Sequence, residues 1–162
     1  MADKGLKDLF EDTLKDVYYA EKQILKNLPE LEEAASSAEL KKAFKTHYTE
    51  TEGQVKRLEQ VFELCDLKPS TKRCDGIEGI LKEGESVLKE FKGTSALDAG
   101  LISSAQAVEH YEITRYGTLR RWAQELGLTE AAQLLTQTLE EESHTDDLLT
   151  QIAEAGANAK AS

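Results

Sequence analysis

Four glutamates of this 162-residue chain fall where helical cores are normally apolar. Leu6, Phe10, Leu14, Val17, Ile24 and Leu28 step by three and four along one helix face, and Glu21 fills the gap between Val17 and Ile24. Sliding the chain on itself by 91 residues pairs Glu21 with Glu112 and Glu50 with Glu141, along with Val17/Val108, Leu28/Leu119 and Leu58/Leu149. Glu112 interrupts the matching stripe of the second half. Glu50 and Glu141 lie in the polar middle of the two partner stretches, so the repeat arranges four carboxylates as two related pairs.

Carboxylates converging inside a bundle raise one another's pKa, and each costs several kcal/mol unless a partner compensates it. A bound cation removes both difficulties. Two divalent ions bring four positive charges, and hard oxygen ligands with a little imidazole suit iron or manganese, with zinc a further occupant. His144 supplies the imidazole, since Glu141 and His144 are i and i+3 on one face. In the first half Gly53 stands at the corresponding place, and His47, one turn before Glu50, is the other source of nitrogen. Glu142 and Asp146 adjoin the same stripe and become the inward acids if the last helix is turned by one position. One Glu from each of two helices plus Glu-x-x-His from each of the other two is the ligand pattern of ferritin-like di-metal carboxylate bundles, here with one histidine missing. The competing reading pairs Glu21 and Glu112 with Lys22, Arg115 or a tyrosine and leaves Glu50 and Glu141 on a solvated acidic face, in a metal-free helical protein that works by dimerisation and partner binding.

The elements that must hold these residues are helices. Ala, Leu, Glu, Lys and Gln dominate while only 2 Pro and 10 Gly punctuate the chain, which predicts an all-α fold. A first helix is expected over residues 4–28, ending or kinking at Pro29 or extending to 35, with Ser36 and Ser37 as the cap region of a second helix over 38–64. Pro69, Ser70 and Thr71 mark a loop, and Ile77 to Phe91 a shorter helix weakened by Gly79 and Gly84. Ser95 is the expected N-cap of a long third helix that stops at Gly127, and Thr129 caps the last. Two short connections and a long middle one give a four-helix bundle whose crossover carries a short fifth helix. The bundle domain is expected over 1–155, with a flexible tail over 156–162.

Lys and Arg total 20 against 31 Asp and Glu, and the net charge of −11 repels polyanions, so neither nucleic acid nor an anionic membrane is an expected partner. The chain opens straight into a charged pattern, without an apolar segment of targeting or spanning length, which predicts a cytoplasmic protein. Cys65 and Cys74 lack CxxC spacing and read as reduced thiols.

Tyr18-Tyr19-Ala20-Glu21-Lys22-Gln23, Glu50-Thr51-Glu52-Gly53-Gln54, Val108-Glu109-His110-Tyr111-Glu112-Ile113 with Tyr116-Gly117-Thr118-Leu119, and Thr138-Leu139-Glu140-Glu141-Glu142 together resemble the YciF-like stress-associated bacterial proteins of the ferritin-like superfamily. The resemblance spans nearly the whole chain. It implies a rubrerythrin-type four-helix bundle plus one short helix, a homodimer, and a candidate di-iron site, but it names no reaction; an oxidoreductase acting on peroxide, dioxygen or ferrous iron is the chemistry such a site would serve. It also adds Glu109, which with Glu112 forms Glu-x-x-Glu, similar to the additional glutamate of rubrerythrin sites. The candidate metal ligands are therefore Glu21, Glu50, Glu109, Glu112, Glu141 and His144.

Overall fold

Long runs of helix formers with a three-and-four apolar step fold as helices throughout the computed structural model, which describes residues 4–162. The first three residues, part of the charged opening read above, lie outside the described residues. Helix α1 spans Leu6–Ala34, α2 Ala38–Leu64, α3 Asp75–Phe91, α4 Leu97–Glu125 and α5 Thr129–Ile152. A π-helical turn over Ala153–Ala157 and a last turn α6, Asn158–Lys160, follow. No strand occurs among the described residues. α1 packs on α2 and α4, and α5 on α4 and α2, which closes the four-helix bundle; α3, in the long crossover, rests on α4 and α1.

Helix ends show where local rules hold and where tertiary contacts replace them. Ser37 caps α2 by accepting from the Leu40 amide at 3.1 Å. α1 runs through Pro29, which is exposed, so water can serve the carbonyl it leaves free while buried Leu28 and Leu31 anchor the turns on either side. Ser95 does not cap α4: the helix starts after Ala96, without a side-chain cap. Asp98 instead reaches across to accept from the amides of Ser36 and Ser37, at 2.7 and 2.9 Å, at the start of α2. Thr129 is the first residue of α5, and the preceding Leu128 provides no side-chain cap. Gly127, at φ +72°, ends the α4 segment in the left-handed conformation that glycine adopts without strain. Gly100 allows α3 to settle closely on α4, for a Cβ there would lie 2.6 Å from Val87 Cγ1.

The buried apolar side chains form two blocks. Ile24, Leu28, Leu40, Phe44, Leu101, Ile102, Leu149 and Ile152 belong to one. Phe10, Leu14, Val17, Leu58, Phe62, Tyr116, Leu119 and Leu135 belong to the other. Apart from Thr13, which lies beside Phe10 and Leu14 of the second block, the buried polar residues of the long helices fall between the two: Glu21 on α1, His47, Thr51 and Gln54 on α2, Glu109 and Glu112 on α4, and Thr138, Glu142 and Thr145 on α5. The bundle thus has a polar waist.

Candidate metal centre

Each long helix brings at least one metal-ligating side chain into the waist because the three-and-four step that buries Val17, Ile24, Leu58 and Leu149 also buries the polar residues between them. His47, Glu109, Glu112 and Glu142 each offer a ligand atom within 4.8 Å of the others, and all four are buried. His47 Nε2 lies 3.1 Å from Glu109 Oε1. That separation matches two ligands of one ion, since donor atoms about 2.1 Å from a shared metal stand about 3 to 3.5 Å apart. No hydrogen bond satisfies Nε2 or Nδ1 of His47, Oε2 of Glu109, either oxygen of Glu112, or Oε2 of Glu142 and Glu21. Buried polar atoms are almost always paired, and here most of the unpaired ones gather in the waist, Asp16 Oδ1 and Arg120 Nε lying outside it.

Glu21 sits at the edge of this group, fully buried, with one oxygen accepting from the Tyr116 hydroxyl. Lys22 lies over the ring of Tyr18 and Arg115 over that of Tyr111. Among the described residues neither Glu21 nor Glu112 has an ion pair, so of the internal partners read from the sequence only a tyrosine serves.

Burial, joined by the negative charge of Glu142, pushes the carboxyl of Glu21 up to about 8. The same two causes raise Glu109 and Glu112 well above the ordinary carboxylate range. Burial, then the charge of Glu21, raises the Tyr116 phenol, so it remains a donor. Without a cation the waist must hold protons on several of its acids. The donor set, carboxylate oxygens with one imidazole, is the kind that takes iron or manganese.

The remaining residues singled out in the sequence stand at the flanks. Glu50 is half-buried, accepts from the Thr145 hydroxyl at 3.4 Å and lies 4.0 Å from His47 Nδ1. Burial raises its carboxyl as well. Glu141 turns to the bundle edge, where both its oxygens meet the Arg57 guanidinium at 2.9 and 3.1 Å. His144 is exposed. Asp146 is taken by Gln106 at 3.1 Å and by the outward His110 at 3.1 Å. The structure thus gathers Glu21, Glu109 and Glu112, keeps Glu50 beside them, and leaves Glu141 and His144 outside. It adds His47 and Glu142, the alternatives left open by the sequence. Counting back from buried Leu149 by four and three gives Thr145 and then Glu142, and from Leu58 gives Gln54, Thr51 and His47; the signal was in the apolar anchors.

An all-helical, ferritin-like bundle with a crossover helix and a buried carboxylate–imidazole waist is the class that this fold and site define. The chain belongs to the family described as a domain of unknown function, DUF892, whose model matches residues 5–162. It is 43% identical over 159 residues to Protein YciF of Escherichia coli (strain K12), covering 98% of this chain and 96% of that protein. The crystal structure of the E. coli stress protein YciF superposes with a TM-score of 0.91 at 43% identity, covering 96% of this chain and 99% of the other. YcfI of Rhodopseudomonas palustris matches with a TM-score of 0.89 at 42% identity, over 91% and 94% of the two chains. The YciF-like resemblance read from the sequence is therefore the family found. No helix among the described residues is long and apolar enough to cross a membrane.

Proposed function

We propose that this protein is a metal-binding member of its family, holding iron or manganese in the bundle waist with His47, Glu109, Glu112 and Glu142 as ligands and Glu21 beside them. The observation that carries this reading is the convergence of buried ligand atoms lacking any hydrogen-bond partner. A buried, acidic cluster with one imidazole is strongly unfavourable without protons or a cation, and a divalent ion satisfies these atoms together. When bound, such an ion supplies one-electron redox exchange with dioxygen or a peroxide, or with ferrous iron as substrate. The chain's own contribution is to hold and shield: Tyr116 fixes one oxygen of Glu21, and the two apolar blocks keep water from both ends of the waist.

The E. coli relative is described as a stress protein, and handling of oxidants fits that setting. A cytoplasmic homodimer completes the proposal, and the net charge of −11 supports its binding neither nucleic acid nor an anionic membrane.

Elemental analysis of protein purified from cells grown with added iron or manganese tests it. Stoichiometric metal is expected, with loss in Glu112→Gln and Glu142→Gln variants. Metal-free protein that also fails to take up either ion in vitro would leave the waist as an internally protonated core, and the metal-free partner-binding alternative in its place.

A further inference from the structure

Resting on the metal-binding reading, we infer that the waist is built for one tightly held ion, and that the second position of a two-ion carboxylate bundle has been dismantled in this chain. The 91-residue offset that relates the two halves survives in the burial pattern: His47/Thr138, Thr51/Glu142, Gln54/Thr145 and Leu58/Leu149 are all buried pairs. The offset therefore gives the image of each ligand in the first site. His47 maps to Thr138, Glu109 to Tyr18, Glu112 to Glu21 and Glu142 to Thr51. Only Glu21 is a carboxylate.

The three hydroxyls that replace ligands are also committed elsewhere. Tyr18 donates to Glu59 at 2.8 Å, Thr51 donates to the backbone carbonyl of His47 at 2.7 Å, and Thr138 accepts from Arg57 at 2.6 Å. In two-ion bundles the inward i, i+3 pairs of two helices are Glu and His. The inward pairs here are Thr51 with Gln54, and Glu142 with Thr145, so neither keeps its imidazole and one has lost its carboxylate.

On the second side the Tyr116 hydroxyl already donates to one oxygen of Glu21, and the Gln54 amide, standing where an imidazole would be needed, donates to Glu142 of the first site. An O–H aimed at a carboxylate oxygen takes one of its lone-pair positions and leaves that oxygen less able to bridge a second metal. What remains for a second ion is one oxygen of Glu21, whatever Glu112 can share, and half-buried Glu50 on the flank beside His47, against three carboxylates and an imidazole for the first.

Anaerobic titration of chelator-treated protein with Mn(II), counted by calorimetry and elemental analysis and read by electron paramagnetic resonance at saturation, tests the inference. One ion per chain with the hyperfine sextet of an isolated Mn(II) is expected. Two ions per chain with an exchange-coupled spectrum would overturn the single-ion assignment and leave the metal-binding reading standing; no bound ion would overturn both. The wild-type count decides by itself. A Thr51→Glu, Gln54→His variant should in addition take up a second ion, and a folded variant that still takes one would overturn Thr51 and Gln54 as the lost ligands.

Discussion

Glu141 and Glu142 are adjacent in sequence and serve opposite surroundings: Glu141 pairs with Arg57 at 2.9 Å on the bundle flank, while Glu142 is wholly buried among the unpaired acids. The Gln54 amide touches both, donating to Glu141 at 3.1 Å and also to Glu142. Charge removal at the two sites should therefore separate. Glu142→Gln is expected to weaken Mn(II) binding by at least about tenfold, whereas Glu141→Gln leaves binding unchanged and costs about 1 kcal/mol of stability or less. Equal effects on binding by calorimetry would return Glu141 to the ligand set.

The two histidines on these helices make a second contrast. His47 is buried against Glu109, and His144 faces solvent. His47→Ala should reduce metal affinity by a further factor of at least about ten, with His144→Ala indistinguishable from the parent. A loss of affinity confined to His144→Ala would show that α5 is turned the other way.

The ion-free protein should lose stability as pH rises. Glu21 goes from an ordinary value of 4.5 in the unfolded chain to about 8 in the fold, and Glu109 and Glu112 shift in the same direction, burial being the largest cause in each. Below the unfolded value both states carry the proton and the stability is fully present. Between the two values the unfolded chain ionises freely and the folded waist does not, so stability drains away until pH passes the folded value. The expected loss is roughly a few kcal/mol between about pH 5 and pH 8. Urea midpoints of chelator-treated protein would check it, and a midpoint that climbs across this range contradicts it.

Metal should reverse that penalty. At 100-fold excess over its dissociation constant an ion bound only by the folded state adds about 2.7 kcal/mol, which for a chain of this size raises Tm by about 5 to 10 °C. Thermal melts with chelator and then with added Mn(II) or Fe(II) give the reading. Superimposable melts would mean that no ion prefers the folded state.

Two helical glycines should respond oppositely to a methyl group. Gly100 has Val87 Cγ1 only 2.6 Å from where its Cβ would sit, so Gly100→Ala should destabilise by about 1 to 3 kcal/mol and recover partly with Val87→Ala. Gly53 has nothing within 4 Å of that point, and Gly53→Ala should stabilise α2 by about 0.5 to 1 kcal/mol. Denaturant unfolding of the three variants separates contact from helix propensity.

The four long helices and the crossover were legible because apolar anchors such as Leu14, Leu58, Leu119 and Leu149 keep one periodicity over many turns. Glu21 and Glu112 stood out for the same reason, each breaking an apolar seam. The face of α5 was harder, since Glu140, Glu141 and Glu142 are consecutive and a rotation of about 100° decides between neighbours. Only the anchoring of Leu149 against the other helices fixes that rotation. Asp98 at the start of α2 was hidden from local reading because its partners, Ser36 and Ser37, come from a different helical connection.

The 91-residue internal match has an implication for how such a waist can specialise. Two separate identical hairpins meeting on a twofold axis must present every side chain twice, so a residue that improves one coordination position improves or damages the other identically. Joining the hairpins through the α3 crossover lifts that constraint. Position 142 can keep a glutamate while position 51 becomes threonine, and position 47 can carry an imidazole that position 138 lacks. Covalent fusion is thus what permits symmetry breaking here, and a lopsided centre is something a single chain can hold and a dimer of halves cannot.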